Sequence, residues 1–267
     1  MAIIPSLYVN SVVSIGIREQ DAAIAWIGTG FFAIRRVDDM GNGVPFIVTN
    51  RHVVLGKQSI VIRMKKQDDN TLREIDIPLL DQNKIELFKY HQNPNIDIAV
   101  IPLNGTYIIN HRLDFSAFDI DEHAMSSCEL RDSGVDEGSL LYMLGFPMGL
   151  VNIKSTEPLC RMGCIARMSP EQIEETGNML VDIQNFPGNS GSPIITRPEL
   201  VSTNGKSLVK TVLAGIIHSY IPYKESLINS QTHEIVEIKS ENSGIANVHP
   251  VEFIREIIDK IQPRREM

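Results

Sequence analysis

The chain has 267 residues, 43% of them hydrophobic, with a formal net charge of −8 and a pI near 5.4. That length can bury a substantial core divided between two domain-sized units of about 100 to 130 residues each. The acidic balance argues against sequence-independent nucleic-acid binding, which needs clustered Lys and Arg, and no stretch approaches the roughly 18 apolar residues of a membrane span, so a soluble chain without nucleic-acid or membrane partners is expected.

Met1 to Asn10 lacks the basic start of a secretory signal, and Ser11 to Ile17 already reads as a first strand, so export is not supported. Short β-branched runs follow at Phe31–Val37, Phe46–Thr49, Ser59–Met64 and Asp97–Leu103, with a hairpin tip at Asp38–Gly43. The acidic, polar stretch near 114 to 137 reads as a linker, which divides the chain into an N-terminal unit at 1–115, a linker at 116–135 and a C-terminal unit at 136–267. Further strands are expected at Leu140–Leu144, Met179–Ile183, Ile194–Thr196 and Val212–Ile217, with an exposed loop at Met168–Gly177, an Asn-Gly turn inside Ser202–Lys206 and a long loop at 219 to 243. From Pro250 to Ile261, Val251, Ile254, Ile257, Ile258 and Ile261 recur at helical spacing after a proline suited to a first turn; a terminal helix docked on the second unit is expected. Cys128, Cys160 and Cys164 are odd in number and point to a reducing, cytoplasmic location. Cys160 and Cys164 lack the second ligand pair of a structural zinc site and read as small buried residues, so no metal is assigned.

The chemistry concentrates in Phe186-Pro187-Gly188-Asn189-Ser190-Gly191-Ser192-Pro193. Glycines on either side permit a tight turn that presents the Ser190 hydroxyl and aims the Gly188 and Ser190 N–H groups at one point, as an oxyanion hole requires. A serine needs a general base, and a base needs an acid to orient it. Thr49-Asn50-Arg51-His52-Val53-Val54 supplies the histidine, and Asp97, set in the apolar run Ile96 to Leu103, supplies an acid too costly to bury without a partner. The chain order His52, Asp97, Ser190 matches chymotrypsin-like double barrels and neither the subtilisin nor the α/β-hydrolase order.

With these motifs in hand, the chain resembles the chymotrypsin-fold, trypsin-like serine peptidases, and among them the bacterial HtrA or Deg-like proteases without a PDZ domain. The resemblance rests on Ile27-Gly28-Thr29-Gly30-Phe31-Phe32, Phe46 to Val54, Asp97 to Ile101, Leu144-Gly145-Phe146-Pro147-Met148-Gly149-Leu150 and Asp182 to Pro193, with Ser192 standing where that group usually has glycine. It implies an all-β fold, a chymotrypsin-like double β-barrel with a C-terminal helix, His52 and Asp97 on the first barrel and Ser190 on the second. It also implies a serine endopeptidase that hydrolyses protein or peptide substrates through an acyl-enzyme without metal or cofactor. By the same resemblance Gln184 lies at the base of the primary specificity pocket with Phe186 and His218 nearby, and the neutral Gln184 implies a non-basic residue before the cut bond.

His91, His111, His123, His233 and His249 carry no supporting motif and read as surface residues. No Arg-Ile-Val-Gly-Gly junction marks a cleavable propeptide, so the loops at 168 to 178 and 219 to 243 are expected to order the hole in response to substrate, an activating protein partner or a homo-oligomer. The alternative is a catalytically silent or latent trypsin-like domain used for peptide binding or as a scaffold.

Overall fold

Strands of alternating inward and outward residues build two β-structures side by side in the computed structural model, which describes residues 4–38, 41–199 and 205–264. The first contains β1 (Val12–Arg18), β2 (Ile24–Arg36), β3 (Gly43–Thr49), β4 (Ser59–Lys65), β5 (Leu72–Pro78), β6 (Lys89–Tyr90) and β7 (Ala99–Pro102), hydrogen-bonded in the order β5-β4-β1-β2-β3-β7-β6. β8 (Phe118–Asp119) lies parallel to β2 at Ala33 and Ile34, and a Leu80–Glu86 bridge spans the side between β5 and β6. The second is a closed barrel of β9 (Leu140–Gly145), β10 (Leu159–Arg167), β11 (Met179–Asp182), β12 (Pro193–Thr196), β13 (Leu213–Ile228) and β14 (Ile235–Pro250), in the order β10-β11-β14-β13-β12-β9. This is the all-β, chymotrypsin-like double barrel with a C-terminal helix that the sequence implied.

Short helices fill the connections: α1 (Ser6–Asn10), α2 (Arg51–Val54), α3 (Gly105–Asn110), α4 (Ser127–Asp132) and α5 (Pro170–Thr176). α5 replaces the exposed loop expected there. Ser169 caps it by accepting the Gln172 N–H, Pro170 starts it, and Gly177 ends it at φ +69°, a left-handed conformation that glycine adopts without strain. α4 lies inside the expected linker and carries a capping box, with Ser126 and Glu129 each accepting the other's backbone N–H. The long loop expected at 219 to 243 is instead a paired ribbon, the outer halves of β13 and β14. The tip expected at 38–43 lies partly, and the turn at 202–206 mostly, outside the described residues.

Each barrel has its own apolar filling: Ile15, Ile47, Ile60, Ile62 and Phe88 in the first, and Leu141, Met143, Ile165, Val181 and Val248 in the second. A third cluster joins the two, with Phe31, Phe46 and Phe118 meeting Leu144, Phe146 and Ile216. Into it goes α6 (Val251–Ile261), through Val251, Ile254, Ile257 and Ile258. Each buried side chain of this size contributes about 1.5–3 kcal/mol on leaving water. The helix therefore docks across both barrels rather than on the second alone. Polar contacts to the first barrel follow from this seat: Arg35, only 1% exposed, donates to Asp259 at 2.6 Å and lies 2.9 Å from Asp121. A guanidinium so buried is costly without such partners. His91, expected at the surface, is buried beneath the same helix with its Nε2 2.8 Å from Glu256.

Candidate active site

α2 starts directly after β3 and puts His52 at the rim between the barrels, where its side chain is 51% exposed. The side chain of its cap residue, Asn50, does not bond the helix: the Asn50 amide donates instead to the Asp97 carbonyl at 2.8 Å, and the Arg51 N–H donates to that carbonyl at 3.3 Å. Asp97 precedes β7 and turns its carboxylate back on the helix. One oxygen accepts the His52 backbone N–H at 3.0 Å, and the other lies 2.5 Å from His52 Nδ1. Burial alone would raise the Asp97 carboxyl above its ordinary value, but the hydrogen bonds and charge of His52 outweigh it and hold the group below that value. The carboxylate thus stays ionised and fixes the Nδ1–H tautomer of the imidazole.

Behind Asp97 stand two histidines. His249 Nε2 accepts the Asp97 N–H at 2.9 Å, so its proton sits on Nδ1, which donates to the Gly177 carbonyl at 2.8 Å. His218 stacks on it, with ring centroids 4.0 Å apart and planes 4° from parallel, and its Nε2 lies 2.8 Å from Asn178 Oδ1. Burial drives His218 down to about 3, helped by neighbouring His249, and burial also lowers His249. Both rings are neutral at pH 7, as the acceptor role of His249 Nε2 requires. His249, expected at the surface, is fully buried at the inner end of β14. Its signal was present: Ala246, Val248 and His249 continue an apolar run into Pro250 and α6. His218 lies behind the acid. His111 and His233 are exposed, and half-buried His123 accepts the Asp119 N–H.

Ser190 is half-buried on the turn between β11 and β12, and Thr29 of the first barrel holds that turn. Thr29 donates its backbone N–H to the Ser190 carbonyl at 2.9 Å and its hydroxyl to the Gly188 carbonyl at 2.7 Å, while accepting the Phe146 N–H. Sequence reasoning placed Thr29 in a motif without seeing this coupling, which spans 159 positions between Thr29 and Gly188. Gly188 sits at φ +95°, and a Cβ there would stand 2.5 Å from the Phe146 carbonyl oxygen. The intervening Asn189 N–H turns inward to Phe186. Among the described hydrogen bonds, neither the Gly188 nor the Ser190 N–H has an acceptor, and none joins Ser190 to His52. Asn189, 1% exposed, has no hydrogen-bond partner for either side-chain polar atom, and neither has the Ser192 hydroxyl beside it.

Gln184 is exposed near Gly244 at the foot of the ribbon, and half-buried Phe186 lies under the Arg161 guanidinium, 5.3 Å from ring centroid to Cζ. Cys128, Cys160 and Cys164 are unpaired, and no cluster of metal-ligating side chains occurs among the described residues.

A pair of packed barrels, with the His52–Asp97 pair on one and a serine on a glycine turn of the other, has the chymotrypsin fold of the serine peptidases. The trypsin-like peptidase domain model matches residues 28–201, well over half the chain, and the protein belongs to that family. It is also similar to the protease domain of MamO from Magnetospirillum magneticum in its apo form, at 12% identity and a TM-score of 0.45 over 94% of this chain and 96% of that one. No curated protein matches the chain.

Proposed function

We propose that the protein is a serine endopeptidase that transfers the acyl group of a peptide to Ser190 and then to water. Ser190 Oγ attacks the carbonyl carbon while His52 takes the hydroxyl proton; the tetrahedral intermediate collapses, the peptide C–N bond breaks, and His52 returns the proton to the leaving amine. Asp97 keeps the imidazole in the required tautomer and stabilises the imidazolium. The Gly188 and Ser190 N–H groups donate to the developing oxyanion. Water, deprotonated by His52, then cleaves the acyl-enzyme. The observation that carries this reading is the two-point hold of Asp97 on His52. A pair half open to solvent adds little to stability, about 0–1 kcal/mol, yet here the backbone that carries the carboxylate is itself fixed, its carbonyl by Asn50 and Arg51 and its N–H by His249.

The neutral Gln184 favours a non-basic residue before the cut bond. Strong preference for Arg or Lys in cleavage of a peptide library would refute that preference. A latent domain is the second reading, favoured by the missing Ser190–His52 hydrogen bond, although such bonds often tighten only with substrate bound. Labelling by a fluorophosphonate probe separates the two. The endopeptidase reading expects labelling of the native chain that is lost in both Ser190→Ala and His52→Ala. A folded native chain that stays unlabelled, alone and with protein substrates present, would overturn it.

A further inference from the structure

Beyond Ser219, β13 and β14 leave the barrel and run on as a two-stranded ribbon in which every residue from Tyr220 to Glu241 is exposed. An isolated hairpin is marginal in water, and this one carries Leu227, Ile228, Ile235, Val236 and Ile238, each half or more exposed. Exposed apolar surface of this kind marks a contact face.

The two outer edges are not equivalent. β13 carries Pro222 opposite Asn242 at the base of the ribbon, where it has no N–H to offer a further strand, and beyond it sets Lys224 and Glu225 next to each other. β14 has neither proline nor glycine from Ile235 to Glu241, and past the bulge at Val236, where Leu227 pairs with Glu237 and Ile228 with Ile235, its edge is open to pairing from Glu237 to Glu241. Its charges are arranged about Ile238, with Glu237 before it and Lys239 after. When β14 is laid antiparallel on a second β14 with Ile238 facing Ile238, each Glu237 faces Lys239 of the other copy. Sliding the pair by two residues in either direction sets Lys239 against Lys239 or Glu237 against Glu237. Sliding by one sets charged residues against apolar ones and is disfavoured for the same reason. Within each ribbon Lys239 already faces Glu225 on β13. The joined face then reads Glu225, Lys239 and Glu237 of the second copy, alternating in sign, while the Ile238 side chains of the two copies meet on the opposite face.

We propose that two copies of this chain join through their β14 edges, about a two-fold axis at Ile238, into one four-stranded sheet. Such an interface is isologous and closed, so assembly stops at two. It rests on the ribbon alone and does not depend on the catalytic reading.

The test is sedimentation velocity of the full chain across the micromolar range, for the native protein, Glu237→Lys, Lys239→Glu and the double exchange, with thermal unfolding confirming that each is folded. The native chain and the double exchange sediment as dimers. Each single variant dissociates at least about tenfold more readily, a change of about 1.4 kcal/mol. An equimolar mixture of the two single variants recovers the dimer, because each unlike charge again meets its opposite. A native chain that stays monomeric throughout the range, or a dimer indifferent to the single reversals, overturns the proposal.

Discussion

Replacing Gly188 by alanine tests the oxyanion turn against a built-in control. Gly188 sits at φ +95° and Gly138 at φ +88°, so alanine meets nearly the same left-handed penalty at both, about 1–2 kcal/mol. At Gly138 nothing lies within 4 Å of the added carbon, and that penalty is the whole cost. At about 2–4 °C per kcal/mol for a chain of this size, Gly138→Ala lowers the unfolding midpoint by about 2–8 °C and leaves the site untouched. At Gly188 the carbon would stand 2.5 Å from the Phe146 carbonyl oxygen and 2.9 Å from the Met148 nitrogen. Both are backbone atoms that no rotamer change can move, so the turn itself must shift. Loss of one oxyanion donor costs about 10² to 10³-fold in turnover. The paired assay is the fluorophosphonate labelling rate and the unfolding midpoint of both variants. Gly188→Ala should label at least about 100-fold more slowly while its midpoint falls further than that of Gly138→Ala. Native-rate labelling of Gly188→Ala would refute the assignment of this turn.

Asp97→Asn keeps the shape but puts an amide against His52 Nδ1, and turnover should fall by about 10⁴-fold, the loss known for the Ser-His-Asp template; a loss under about tenfold in peptide hydrolysis would remove Asp97 from its orienting role. His249→Phe preserves the stack on His218 but leaves the Asp97 N–H without its acceptor, so the unfolding midpoint should drop by the equivalent of about 1–3 kcal/mol, and an unmoved midpoint would show the bond to be idle. Stability should also fall in mild acid. His218 has a folded pKa of about 3 against an ordinary 6.5, so the unfolded chain takes up a proton that the folded chain refuses. Its stability is complete above pH 6.5 and is lost as pH falls toward 3. Glu129, held at about 2 against 4.5, chiefly by the Ser126 N–H and Arg255 overcoming burial, loses its contribution only below pH 4.5. Thermal melts should therefore decline already between pH 6.5 and 4.5, a limb to which buried His249 and half-buried His123 also contribute, with His218→Asn making it shallower and Glu129→Gln leaving it unchanged.

The strands, the double barrel and the meeting of His52 with Asp97 were legible because each rests on a local pattern: alternation, turn glycines, and an acid inside an apolar run. Two helices were equally legible and were missed. Ser126 to Glu129 spells a capping box, and Ser169-Pro170-Glu171 up to Gly177 spells a complete helix start and stop, but the polarity of both stretches was allowed to outweigh their caps. The ribbon at 220–241 was missed for a different reason, since exposure on both faces erases the alternation that identifies a strand. What no local pattern reveals is a partner brought from far away. Thr29 reaches the nucleophile turn, and His249 reaches the acid across 152 positions, by bonds that exist only once the barrels have docked.

The seat of α6 carries a consequence for the order of events in making the protein. Asp97 and His52 both precede the second barrel along the chain, yet the imidazole that anchors the acid's backbone and the carboxylate that pins His91 belong to His249 and Glu256, which follow Ser190. A chain that has emerged only as far as residue 248 has no acceptor for the Asp97 N–H, and its acid is unanchored. Full anchoring of the His52–Asp97 pair thus waits for β14 to be made and docked.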